Sequence, residues 1–233
     1  GVKKRLLSLK AGNQTAASAI KKVLKIGLPA AGANMLTPVA MAVMTALVAN
    51  HGPEAVAAFG VGSRIESIAS ILVLALSMTL PPFVSQNFGA GKLGRVKEAY
   101  IGTLKFVMIW QFAIYILLIA LSGVISQLFG KEQAVIDVIK LFIYTIPLSY
   151  GFQGVIILSN SSFNALHKPM NALFLSIIRL FVFYLPFAYV GSMLGGLIGL
   201  FIGAAIGNVF TGLVAYKWFV KELDAICSIT VTE

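Results

Sequence analysis

The 233 residues carry 58% hydrophobic and only 11% charged side chains, with a mean hydropathy of +0.92 and a formal net charge of +10. A soluble domain holds about 25% charged residues, so this composition excludes the soluble classes and points to a polytopic membrane protein. The single cysteine, Cys227, excludes an internal disulfide, and the two histidines, His51 and His167, have no metal-ligand companions at useful spacing, so no metal or other cofactor is expected.

The chain opens Gly1-Val2-Lys3-Lys4-Arg5, without Met and without an apolar signal segment, which reads as a loop cut from something longer. Residues 1–25 hold seven basic residues, and Leu6, Leu7, Leu9, Ile20, Val23 and Leu24 suit an amphipathic approach lying on the membrane interface. Beyond them, Ile26–Asn50, Ser67–Gly91, Phe106–Gly130 and Leu141–Leu166 each run about 25 residues or more without Asp, Glu, Lys or Arg. Leu180–Tyr216 is long enough for one span and the tail of another. An α-helix rises about 1.5 Å per residue, so ~20 apolar residues cross the ~30 Å hydrocarbon core. The expected fold is an all-α integral membrane bundle of six spans, at about 26–50, 57–82, 100–123, 136–160, 170–190 and 194–217, with 218–233 as a tail.

Five of the spans have features that composition does not explain. The first holds Pro29 and Pro38, and Pro38 predicts a bend near mid-membrane, because proline removes a helix hydrogen bond. The same span carries Asn34, Thr37, Met41 and Thr45, a polar stripe in which Met41 is either an adaptable contact for apolar ligands or core packing. The second span contains Arg64 and Glu66, two positions apart and therefore on different faces. Glu66 shares its face with Ser63, Ser70 and Ser77; Arg64 turns towards Gly60 and Ser67. Either both charges reach water at the span end, or Glu66 faces a water-filled cavity and takes part in proton, cation or substrate binding.

Gln86-Asn87-Phe88-Gly89-Ala90-Gly91-Lys92 suits a tight turn after the second span; the spacing of a phosphate-binding loop is missing. In the fourth span Ser149, Gln153, Asn160 and Asn164 fall within about 60° of one helical face. Amides in lipid would be left unpaired, so this face meets another helix or a cavity. Arg179 in the fifth span is read as a structural charge, as is Arg64. In the last span Gly195, Gly199, Gly203 and Gly207 repeat every fourth residue and let a neighbouring backbone come close, within one bundle or between two copies.

The basic residues sort by topology. Fourteen of the 18 fall on the side of the two termini: Lys3, Lys4, Arg5, Lys10, Lys21, Lys22, Lys25, Lys92, Arg95, Lys97, Lys105, Lys168, Lys217 and Lys221. The opposite side has Lys131 and Lys140 beside Glu132 and Asp137. This positive-inside pattern predicts cytoplasmic termini, and it accounts for the net charge without any nucleic-acid partner.

Three segments then carry a resemblance. Ile26-Gly-Leu-Pro-Ala-Ala31, Ala58-Phe-Gly-Val-Gly-Ser-Arg-Ile-Glu-Ser67 and Gln86-Asn-Phe-Gly-Ala-Gly-Lys92 resemble the second half of a multidrug and toxic compound extrusion (MATE) transporter. Phe163-Asn-Ala-Leu-His-Lys-Pro169 resembles the loop after that family's tenth span, and Arg179 with Leu185-Pro186 its eleventh. The resemblance implies the C-terminal six-helix lobe of a twelve-helix transporter in the plasma membrane. It also implies an N-terminal lobe as partner, organic and often cationic cargo, and exchange for H⁺ or Na⁺. In one branch of the family the seventh span bears a coupling glutamate; Thr37 aligns with that position here. Glu66 is then the remaining acidic candidate in this lobe.

The candidate substrate or coupling residues are thus Asn34, Thr37, Met41, Glu66, Gln153 and Asn160. A lipid-linked saccharide flippase of the same superfamily, which would want more basic residues in its cavity, is the nearest rival reading. A passive channel or a non-transporting subunit also stays open. No Ser/His/Asp set, HExxH or paired aspartates occur within the spans, so an enzyme is not expected.

Overall fold

The computed structural model describes residues 13–231. They form helices joined by short turns, with no strand among them. The chain order is α1 (Asn13–Ala49), α2 (Pro53–Ala69), α3 (Ile71–Gly89), α4 (Leu93–Phe129) and α5 (Gln133–Thr145). A 3₁₀ turn (Ile146–Ser149) leads into α6 (Tyr150–Ala165). After α7 (Pro169–Ile177) comes a π-helical stretch (Ile178–Tyr184), and α8 covers Leu185–Val231.

These elements make six passes. α2 and α3 are one pass, because Ser70 between them keeps helical bonds to Glu66 and Leu74, both 2.9 Å. α5, the 3₁₀ turn at Pro147 and α6 make the fourth. The apolar stretch Pro169–Cys227 is 59 residues long, far more than one crossing needs. It doubles back at Gly195 (φ −136°, ψ 20°) and Gly196 (φ 58°, ψ −139°), so it supplies the fifth and sixth passes. Left-handed geometry of the Gly196 kind is open to glycine at little cost.

The expected span bounds differ from the helices in one direction. α1 starts at Asn13, so residues 13–25 continue the first pass instead of forming a separate approach; Leu6, Leu7 and Leu9 lie outside the described residues. α1 is unbroken through Pro29 and Pro38. Residues 218–231, expected as a tail, extend α8, and Phe219 and Leu223 within them are buried. A helix of 37 residues is about 55 Å long, so helices of this kind project beyond the hydrocarbon. Hydropathy marks only the immersed part.

Buried apolar side chains form a core towards each end of the bundle. At the end carrying the termini, Tyr100, Leu104, Phe163, Leu175 and Phe219 pack with α3. At the other, Met44, Phe59, Phe142, Tyr150 and Phe201 pack together with Ala69 of α2. Polar side chains facing helices are paired across them: Tyr100 Oη with Ser159 Oγ (2.6 Å), Gln111 Nε2 to the Ala69 carbonyl (3.0 Å) and Asn208 Nδ2 to Ser149 Oγ (3.3 Å). In lipid this is where such groups can be satisfied.

The glycine repeat closes the fifth and sixth passes onto one another. A Cβ on Gly199 would lie 2.0 Å from the Gly191 carbonyl oxygen, and one on Gly203 2.0 Å from that of Phe187. On Gly207 it would lie 2.8 Å from that of Phe183. Gly195 does not belong to this face; it sits in the reversal, with open space around it. The contact lies within one bundle.

At the terminal end, Lys97 pairs with Asp224 (2.7 Å), and Lys168 pairs with Glu222, which Asn171 also approaches. The start of α4 and the turn after α6 are thereby tied to the end of α8. At the opposite end, His51 Nε2 lies 2.8 Å from Ser192 Oγ.

Candidate functional site

A polar cavity of about 420 Å³ opens between α1, the α2–α3 pass, α6 and the α7–π stretch. All six candidate residues line it. Asn34, Thr37 and Met41 recur at helical spacing on α1 and present one face. Glu66 enters from α2, and Ser77, from its predicted stripe, from α3. Gln153, Asn160 and Asn164 line the cavity from α6.

Other residues singled out in the sequence lie elsewhere: Thr45 and Ser63 donate to the Met41 and Phe59 carbonyls of their own helices, and Ser70 is not on the cavity wall. Ser149 is fully buried and accepts from Asn208 of α8. It belongs to the 3₁₀ turn, whose tighter winding takes it off the α6 stripe. Arg64 is exposed on the outside of the lobe and does not reach the cavity. Arg179, in contrast, sits on the cavity wall. Its guanidinium lies 5.8 Å from the ring centroid of Tyr184, which lines the same wall, in cation–π range.

Tyr184 and Ser176 were not legible as wall residues. Residues five apart lie about 140° apart around an α-helix, so Arg179 and Tyr184 would face different neighbours. The stretch Ile178–Tyr184 is π-helical, and i→i+5 bonding brings them to one face. Ser176 could have been suspected, since it stands three residues before Arg179 on the same pass.

The wall is a network with a defined polarity. Gln153 Nε2 donates to Glu66 Oε1 at 2.6 Å, a short bond of the kind a carboxylate acceptor makes. Asn160 Nδ2 donates to Ser176 Oγ at 3.1 Å, and that hydroxyl donates in turn to the Ala172 carbonyl at 3.0 Å. The serine proton is thus committed, which fixes the amide orientation of Asn160 and leaves its Oδ1 without a donor; Asn164 Oδ1 is also unpaired. Glu66 and Arg179 share the cavity but form no ion pair with each other. No cluster of three or more His, Cys, Asp or Glu able to hold a metal occurs among the described residues.

Comparison with known proteins places this architecture. A family model described as MatE matches residues 29–190. The chain is 38% identical over 195 residues to the FAD transporter of Shewanella oneidensis, covering 84% of this chain and 43% of that protein. It is 25% identical over 206 residues to the probable multidrug resistance protein YpnP of Bacillus subtilis, covering 84% and 44%. Among solved structures, the Vibrio cholerae MATE transporter VcmN in its bent form superposes with a TM-score of 0.88 at 32% identity, over 94% of this chain and 50% of that one. The chain spans about half the length of the relatives it matches. It belongs to the MATE family of membrane transporters, and its six passes correspond to one lobe of that all-helical fold.

Proposed function

We propose that this lobe is the C-terminal half of a secondary active exporter that moves organic compounds out of the cell in exchange for H⁺ or Na⁺. It works beside an N-terminal six-helix lobe in the plasma membrane, with both termini cytoplasmic. The observation that carries this reading is the polar cavity itself. Ionisable side chains within a membrane pass are expensive, and here Glu66 and Arg179 both line one cleft near the middle of a MATE lobe. Sites between repeats at mid-membrane are where transporters of this architecture hold cargo. Glu66 suits a cationic or donor group, Met41 and Leu74 an apolar body, and the Asn and Gln amides its orientation.

One comparison favours a second cargo. The relative with 38% identity is named as an FAD transporter, so export of a flavin dinucleotide stands beside export of cationic drugs. The flippase reading gains nothing from the cavity, which has one basic wall residue, Arg179, set against Glu66.

The test uses full-length transporter containing this lobe, in everted vesicles with an imposed pH or Na⁺ gradient. Uptake of a cationic dye or of FAD should follow the gradient and stop when an ionophore collapses it. Movement indifferent to both gradients would indicate a passive pathway and sink the antiport reading. Residues 1–233 expressed alone in efflux-deficient cells should confer no resistance, because half of the cleft is then missing.

A further inference from the structure

We propose that Arg179 is the oxyanion-recognising group of the cavity, and that the site takes cargo bearing a phosphate or carboxylate in addition to its cationic or hydrogen-bond-donor end. The inference rests on the transport reading above and specifies its substrate class.

Three observations converge. First, Arg179 is deep. It lies about 15 Å along its pass from Pro169, near the middle of residues 169–194, too far in to be explained as an interfacial anchor. Second, its guanidinium lacks an anion. Among the described residues it makes no ion pair and no hydrogen bond, and its contact is the Tyr184 ring. An uncompensated guanidinium inside a membrane pass is costly until an anion meets it. Glu66, the nearest candidate in the cavity, is instead engaged by Gln153. Third, a π-helical stretch holds Arg179 and Tyr184 on one face of the cavity wall. Such stretches are rare and concentrate at functional sites.

A guanidinium is the side chain suited to this task. It is always charged, and its planar fork matches the two oxygens of a phosphate or carboxylate. The Tyr184 ring lies on one side of it, in cation–π range, without neutralising it. The cavity therefore has a positive pole at Arg179 and a negative one at Glu66, which complements a dipolar ligand better than a simple cation.

The oxyanion could come from cargo or from a lipid headgroup. Binding of FMN and of riboflavin, which share a ring but differ by the phosphate, separates these sources when followed by flavin fluorescence quenching of full-length protein in nanodiscs of neutral lipid. Wild type should bind FMN about tenfold or more tightly than riboflavin. Arg179→Gln should remove that preference, with the loss falling on FMN far more than on riboflavin. Arg179→Lys, which keeps the charge but loses the fork, should recover part of it. Replacing half of the neutral lipid with phosphatidylglycerol should leave FMN affinity unchanged. An unchanged FMN-to-riboflavin ratio in Arg179→Gln overturns the proposal. So does an equal loss for both flavins, which marks a packing role, and so does competition by the anionic lipid, which makes the headgroup the occupant. If wild type drives a cationic dye along the gradient yet shows no preference for FMN, the anion site fails and the transport reading survives. If it handles neither dye nor flavin, both fail.

Discussion

The fifth pass behaves in opposite ways along its length. From Phe183 to Gly191 its backbone is pressed against Gly199, Gly203 and Gly207 of the sixth pass, so closely that a single added methyl would meet a carbonyl oxygen at 2.0–2.8 Å. From Ser176 to Tyr184 the same pass turns side chains into a cavity of about 420 Å³. Glycine at every fourth position removes the side chains from one face, so two backbones meet with nothing between them. A π turn and polar side chains on the neighbouring stretch do the reverse. The contrast shows how one rigid hairpin can brace an open cleft: the volume kept free on one side is held by contacts that allow none on the other.

The most severe way to break this arrangement is to add bulk to the closed side. Gly203→Ala and Gly199→Ala force a carbonyl to move, and overpacking of this kind costs on the order of 3 kcal/mol or more. Thermal unfolding in detergent should show a large loss for each. Gly102→Ala on α4, where a new Cβ meets nothing within 4 Å, should be neutral within about 0.5 kcal/mol. Equal stability of all three would mean that the hairpin contact does not brace the lobe.

On the open side, Glu66→Gln keeps shape and removes charge. Folding should be preserved, and transport should drop about tenfold, the loss of one charge-assisted contact of about 1.4 kcal/mol. Wild-type transport of a cationic dye by well-folded Glu66→Gln protein, at every pH tested, would remove Glu66 from the coupling or binding machinery. Gln153→Leu offers a sharper probe, since it leaves the Glu66 carboxylate in place without its amide donor.

Geometry of the open side can be read directly with cysteine. After Cys227, which is exposed, is changed to Ser, single cysteines at Asn34, Thr37, Gln153 and Asn160 should react with a water-soluble thiol reagent. Cysteines at Ile109 and Ile116 on the outer face of α4 should react at least tenfold more slowly, because lipid covers them and the reactive thiolate needs water. Protection at all four cavity positions with labelling on α4 would refute the placement.

How much of this was legible follows the same division. The six passes were legible from four uncharged runs of about 25 residues and a fifth, longer one, because a bilayer imposes one strong constraint on length and polarity. The stripes on α1 and α6 were legible because both helices are regular there. Legibility failed where the winding changes. Ser149 left its stripe in a 3₁₀ turn at Pro147, Tyr184 joined Arg179 through a π stretch, and Gly195 dropped out of the glycine repeat because the chain reverses at it and Gly196. Helix ends were missed for another reason: residues 13–25 and 218–231 are helical by continuation of a pass, in surroundings where hydropathy says nothing.

The smallest effects belong to the ion pairs that tie the start of α4 and the turn after α6 to α8. Lys97 and Asp224 are 39% and 56% exposed, so water screens their attraction and Asp224→Asn should cost under about 1 kcal/mol. Lys168 and Glu222 are less exposed, at 37% and 22%, and Asn171 approaches the same carboxylate. Glu222→Gln removes a charge that two donors face, so it should cost more than Asp224→Asn, although still on the order of 1 kcal/mol. A double-mutant cycle for each pair, read by thermal unfolding at low and high salt, tests the ranking. The Lys97–Asp224 coupling should vanish in high salt, while the Lys168–Glu222 coupling should persist, since screening acts mainly on exposed charges. If both couplings vanished together, burial would not distinguish the two pairs, and the end of α8 would be held mainly by apolar packing such as that of Phe219 and Leu223.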